Sequence, residues 1–304
     1  MDPSPPTILL TFDVEDWFQV ENLRPHFPPG TWDHMELRVE KNTNKILDLL
    51  DSIAISPFST TPTNPKATFF ILGWMAKRLP NLVREIKARG HEVASHGYNH
   101  LMCNQLEAKN LKYDLIQSKK VLEDIVGVEV GGYRAPSFSI NNAAIELIRH
   151  SGYRYDSSYN NFNKHGRYGA IALNGHRKLG VAINIAQDFM ELPISNLRIG
   201  NQVIPWGGGG YFRFFPRSIF ISGVRYILKQ AGAYMFYMHP WEIDPGQPRV
   251  KKAQYLSSWR HYLNLKKTYR RLQNLITTFK DCRFLTCTQY LKDVTEKNTR
   301  ISDG

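Results

Sequence analysis

The segment Leu79–His100 reads LPNLVREIKARGHEVASHGYNH. Leu79–Arg89 predicts a helix, Gly90 supplies the left-handed residue that ends it, and the short β-type run His91-Glu92-Val93-Ala94 follows at once. The same plan recurs as Ala143–Ser151, Gly152 and Tyr153–Asp156, and as Ile219–Ala231, Gly232 and Ala233–His239. Leu106–Val126 followed by Gly132-Tyr133-Arg134 fits it too. Strands alternating with helices of this length imply a parallel sheet. The number of units predicts an α/β fold, a distorted (β/α) barrel of about seven strands, with the chemistry at the C-terminal rim of the strands.

Thr7–Phe12 and Ala67–Gly73 are continuous apolar and β-branched runs, as in strands covered on both faces. Between them, Ile46, Leu49, Leu50 and Ile53 form a helical stripe, and Pro57–Pro65 is a polar loop. Leu192–Ser195 is a further strand. Ser257–Phe279 is a helix with Lys266, Lys267, Arg270 and Arg271 on its outer side, Phe284–Cys287 is the last strand, and the tail from Glu296 is frayed. The expected organisation is one domain over 1–304, with core motifs in 7–245 and a C-terminal helical extension and strand in 250–295.

The 304 residues are 42% hydrophobic, enough for a large core and unlike a disordered chain. Three scattered cysteines exclude a disulfide framework and suit a cytoplasmic, reducing setting. The N-terminus lacks the charge and apolar run of a signal peptide or membrane helix, so a cytoplasmic location is expected, with peripheral membrane contact permitted. A net charge of +12 allows an anionic partner. The basic residues follow no nucleic-acid recognition motif, and no phosphate-binding glycine loop with a lysine is present.

Polar residues gather where the predicted strands end. His96 and His100, four apart, can turn two imidazoles to one divalent metal, or can sit in an ordinary solvated loop. Asp13, Glu15 and Asp16 follow the first strand within four residues and repel one another unless a cation lies among them. They read either as a metal ligand plus a base or as an acidic helix cap. Arg134, Asp156 and His239 end three other strands. Asp156 either orients a ligand histidine or caps a turn, and Glu242 or Asp244 could hold the His239 proton. Trp206 and Tyr211, around Gly207–Gly210, suit a sugar face, although the glycines could equally be a tight connector.

Thr11-Phe12-Asp13, Ala67-Thr68-Phe69-Phe70, Ser95–His100, Tyr133-Arg134-Ala135-Pro136-Ser137 and Met238-His239-Pro240-Trp241 resemble, in order, the motifs of polysaccharide deacetylases, carbohydrate esterase family 4. Within it the chain is most similar to the branch found at exopolysaccharide loci, whose first motif reads Asp-Val-Glu-Asp. The resemblance implies a hydrolase that removes N-acetyl groups from an amino-sugar glycan with a divalent metal, zinc first among candidates. It implies Asp13 as general base, Arg134 as its partner, His239 as general acid, and His96, His100 and one carboxylate as ligands. A backbone N–H near Arg134 would meet the oxyanion.

The first motif departs from the family's common form, where a carboxylate directly follows the base; here that residue is Val14. Glu15 is the first choice for the ligand and Asp16 the alternative. Two other functions remain: a cyclic imide or ureide amidohydrolase on the same fold, favoured by a small enclosed pocket, and a non-catalytic glycan-binding protein, which predicts a missing base or acid.

Overall fold

Eight consecutive buried residues, Thr7–Val14, form the first strand, β1, of the computed structural model, which describes residues 5–56, 62–162, 166–250 and 255–302. The expected loop at Pro57–Pro65 lies largely outside these. The other strands are β2 (Ala67–Ile71), β3 (Glu92–Ser95), β4 (Gly132–Tyr133), β5 (Tyr155–Asp156), β6 (Lys178–Leu179), β7 (Ala182–Ala186), β8 (Phe189–Glu191), β9 (Asn196–Ile199), β10 (Gln202–Pro205), β11 (Ala233–Met238) and β12 (Arg283–Phe284). Among the described residues, β11, β1, β2, β3, β4, β5 and β8 pair in that order, all parallel. These seven strands form a curled parallel sheet, the half-barrel form of the expected distorted (β/α) barrel. β7 and β6 extend it antiparallel, and β9 and β10 form a separate hairpin.

Alternation along β1 separates two environments. Ile8, Leu10, Phe12 and Val14 join the large core beneath the helices, whereas Leu9 joins a smaller cluster with Phe70, Ala94, Tyr155, Met235 and Tyr237 inside the curl of the sheet. Asp13 continues the inner row of Leu9 and Thr11. The gap beside β11 is bridged by loop atoms: Met235 N–H donates to Ser195 Oγ (2.8 Å) and Tyr237 N–H to the Gly207 carbonyl (2.7 Å). Gly208, at φ +137°, lies so close to the Tyr237 carbonyl that any Cβ would collide with it. The glycine run is thus a close-packed strut against β11.

Gly90, Gly152 and Gly232, read as helix stops, all have positive φ. They follow helices at Pro80–Ala88, Asn142–His150 and Arg217–Ala231. Four expectations change, one of them the last strand, which is Arg283–Phe284 and not Phe284–Cys287, since Cys287 opens a helix. The basic helix is two, Tyr255–Tyr262 and Leu265–Thr278, broken where Asn264 turns left-handed and its amide bonds the Arg213 carbonyl. The tail from Glu296 continues a helix, Cys287–Ser302. The strand expected at Leu192–Ser195 falls at Phe189–Glu191, and Leu192 then donates its N–H to Asp156. The three cysteines are free and buried.

Candidate active site

β1, β3 and β11 end at the same side of the sheet, and their ends deliver the polar residues to one pocket. Along β1 the period of two sends Val14 into the core and leaves Asp13 and Glu15 on the inner side. Glu15 then lies beside two imidazoles: ligating atoms of Glu15, His96 and His100 all fall within 4.8 Å of one another. His100 Nε2 is 3.4 Å from Glu15 Oε2. Among the described residues, Glu15 Oε2 and His100 Nδ1 are buried without a hydrogen-bond partner, which a buried polar atom avoids unless something else satisfies it.

The loop carrying the histidines is fixed from several directions. His96 Nδ1 faces the Arg134 carbonyl at 2.8 Å, so it carries the proton and the other ring nitrogen keeps its lone pair. Gly97 takes φ +76° against the Asp114 carboxylate, which accepts the N–H groups of Tyr98 (2.8 Å) and Asn99 (3.3 Å). His100 is held at φ 52°, in the left-handed region, with its carbonyl bound by Arg24 Nη1 at 2.7 Å. Burial pushes both histidines toward the neutral form, His100 to about 4. Burial raises the Glu15 carboxyl, and the facing His100 and His239 more than reverse this, to about 2. Two neutral imidazoles and one ionised carboxylate, with buried lone pairs unspent, fit a divalent metal of zinc type.

Asp16 is not part of this group. Its Oδ1 accepts from Trp17 N–H (2.8 Å) and its Oδ2 from the N–H groups of Arg38 (2.6 Å) and Val39 (2.9 Å), where the helix Val39–Ser52 begins. The helix-cap reading applies to Asp16, whose lone pairs are directed to backbone amides.

Arg134 crosses the inside of the sheet without exposure. It donates from Nη1 to Asp13 Oδ1 (2.8 Å) and Thr11 Oγ1 (2.7 Å) and from Nη2 to Ser157 Oγ (2.9 Å), with its guanidinium 4.0 Å from the Phe70 ring centre. Asp13 Oδ2 is left facing His239 Nε2 at 3.9 Å. His239 Nε2 is also 2.9 Å from Glu15 Oε1, and its Nδ1 is 2.9 Å from Glu242 Oε1. Glu242 Oε2 accepts from Arg213 Nε at 2.5 Å. Burial lowers the His239 pKa, but Glu15 and Glu242 outweigh it and raise it to about 10. Of the two acids considered for holding the His239 proton, Asp244 instead pairs with Arg38 at 2.6 Å. Asp156 accepts from Ser158 N–H and Oγ, and Ser158 Oγ accepts from Ala135 N–H, so this acid shapes the turn after Arg134; among the described residues no hydrogen bond joins it to His96 or His100.

Asp13, Glu15, His96, His100 and His239 all line one cavity of about 250 Å³, open on one side. Phe138, Tyr168 and Tyr237 form its aromatic wall. Trp206, expected at a sugar face, is buried under Phe215 and Phe220. Tyr211 stacks on Phe215.

A sequence model of the family described as polysaccharide deacetylase matches residues 1–155, just over half of the chain. The chain belongs to the polysaccharide deacetylase family. A second model, described as a domain of unknown function (DUF3473), matches residues 157–292. The family match therefore holds Asp13, Glu15, His96, His100 and Arg134, while His239, Glu242 and Arg213 lie in the second segment. Over 89 residues this family member is 34% identical to a peptidoglycan-N-acetylglucosamine deacetylase of Bacillus cereus, covering 29% of this chain and 41% of that protein. Over 92 residues it is 33% identical to a peptidoglycan deacetylase of Helicobacter pylori, covering 30% and 31%. The chain thus spans less than half the length of these relatives. Its fold is similar to that of a Mycobacterium smegmatis protein assigned to the polysaccharide deacetylases (TM-score 0.62, 19% identity, 98% of this chain and 93% of that one). It is also similar to the fold of the allantoinase PuuE (TM-score 0.58, 11% identity, 95% and 90%).

Proposed function

We propose that this protein is a metal-dependent hydrolase that removes N-acetyl groups from an amino-sugar polysaccharide or glycan intermediate. The observation that carries the reading is the convergence of Glu15, His96 and His100 on one point beside Asp13 and His239 in a single cavity. Glu15, His96 and His100 would hold the metal, which when bound polarises the acetyl carbonyl and acidifies water.

Asp13 is the general base. Arg134 occupies Oδ1, which leaves Oδ2 toward the cavity to accept the proton of the attacking water as the C–O bond forms. His239 is the general acid. With Nδ1 held by Glu242, its Nε2–H is directed into the cavity, where it protonates the nitrogen as the C–N bond breaks and acetate and the free amine form. Ser137, three residues past Arg134, at φ 54° and lining the cavity, is our candidate for the backbone N–H that meets the oxyanion.

The sequence Asp13-Val14-Glu15-Asp16 and the DUF3473 segment support membership of the exopolysaccharide-locus branch. Pairing of β11 and β12 with β1 supports reading 1–304 as one domain. Of the alternatives, the glycan-binding reading predicts a missing base or acid, and the presence of Asp13 and His239 in one cavity speaks against it. The cyclic-amide reading has fold likeness alone behind it. Elemental analysis paired with acetate release from N-acetylglucosamine oligomers, before and after chelation, is the test. About one zinc per chain and chelator-sensitive acetate are expected; bound metal with no acetate from any glycan would point to the cyclic-amide reading.

A further inference from the structure

The charged side chains deep in the cavity are matched. Asp13 has Arg134 at 2.8 Å, Glu242 has Arg213 at 2.5 Å, and Glu15 has His239 at 2.9 Å. At the rim, Glu21 is 3.3 Å from Arg24. Two further arginines line the same cavity and have no such match. Arg167 is half-buried and donates from Nη2 to the neutral Asn22 Oδ1 at 2.7 Å. Arg260 is exposed, and its charge and that of Arg167 both act on the phenol of Tyr168, which lines the same cavity. Among the described residues neither is paired with a carboxylate.

We propose that the substrate carries an anionic group, carboxylate or phosphate, beside the N-acetylated sugar, and that Arg167 and Arg260 bind it. The inference deepens the deacetylase reading and rests on it. Two cations converging on one cavity repel each other, and an anion between them relieves that repulsion. Planar guanidinium forks match the oxygens of carboxylates and phosphates in pairs, a geometry that neutral hydroxyls do not exploit. Of the polar lining beside them, Asn22 and Tyr168 are uncharged, and the rim carboxylate Glu21 is engaged by Arg24. The net charge of +12 adds long-range attraction for such a glycan.

Calorimetric titration of the full chain carrying Asp13→Asn, with metal supplied, separates binding from turnover. Three ligands of equal length serve: an N-acetylglucosamine oligomer, the same oligomer with a terminal phosphate, and an oligomer alternating N-acetylglucosamine with glucuronate. At least one acidic ligand should bind about tenfold more tightly than the neutral one, with a preference that fades as salt is raised. That preference should vanish in Arg167→Gln/Arg260→Gln. Which acidic ligand is preferred tells carboxylate from phosphate. Equal affinities for all three ligands, no binding of either acidic ligand, or a preference that survives the double substitution would overturn the proposal. Acetate release by the unaltered chain is measured in parallel: release without an acidic preference defeats this proposal alone, whereas an arginine-dependent preference without release defeats the deacetylase reading and leaves the anion site standing.

Discussion

Arg134 Nη1 lies 2.8 Å from Asp13 Oδ1, although Asp13 is on β1 and Arg134 directly follows β4, with β2 and β3 between them. The contact spans the inside of the sheet, with Arg134 wholly buried and only the far oxygen of Asp13 turned to the cavity. A buried pair of this kind contributes little net stability against an apolar substitute, but loss of one partner leaves an uncompensated charge. Arg134→Ala should lower unfolding stability by about 3–5 kcal/mol in chemical denaturation. Arg134→Met with Asp13→Asn should recover much of that loss. A single variant within about 1 kcal/mol of the parent would mean that water or another cation reaches Asp13.

Roles divide between Asp13 and His96. In Asp13→Asn the amide oxygen still accepts from Arg134 but cannot take a proton, so acetate release should fall by at least about 10²-fold while bound metal is retained. His96→Ala removes one of the three candidate ligands and should lose both metal and turnover. Equal metal loss in the two variants, read by elemental analysis, would contradict these assignments.

Glu15 and Glu242 raise the His239 pKa against burial, and once a metal draws on Glu15, Glu242 is the carboxylate that still holds the ring. Neutralising Glu242 as Glu242→Gln removes one of the negative charges, so the His239 pKa falls. An acid that must be protonated then loses its proton at lower pH, and the alkaline limb of kcat/KM should shift to lower pH. An alkaline limb that stays in place would assign it to another group.

The fold was legible because its signals are local. A glycine after an amphipathic helix marks a stop whatever lies around it, and Gly90, Gly152 and Gly232 all behave so. Asp13, His96, Arg134 and His239 could be placed at strand ends for the same reason. Asp16 shows the limit: its spacing from Asp13 does not reveal that the amides of Arg38 and Val39, more than twenty residues on, take up its oxygens. Trp206 failed as a sugar platform because nothing in its neighbourhood announces Phe220 stacking on it. Asp114, which holds the His96–His100 loop, and Arg213, which holds Glu242, escaped notice because each acts on a segment distant in sequence and neither lies in a motif.

Stability should depend on pH through His91, at the end of the sheet away from the cavity. Its Nδ1 accepts the Ala67 N–H at 3.3 Å where β2 begins, and its ring packs 5.3 Å from that of Phe69. Burial, reinforced by the charge of Lys66, lowers its pKa from the ordinary 6.5 to about 4, since protonation would abolish the acceptor and place a cation in the core. A folded-state pKa below the unfolded value means that the unfolded chain binds the proton first. The contribution is therefore full above pH 6.5 and is lost progressively as the pH falls toward 4, by about 3 kcal/mol in all. Other groups titrate in the same window, so the measurement is the difference between the parent and His91→Asn, whose amide oxygen can still accept from Ala67 but does not ionise. Denaturation midpoints followed from pH 7 to pH 4 should fall more steeply for the parent. Parallel pH profiles would show that His91 is already protonated, or hydrated, in the folded protein.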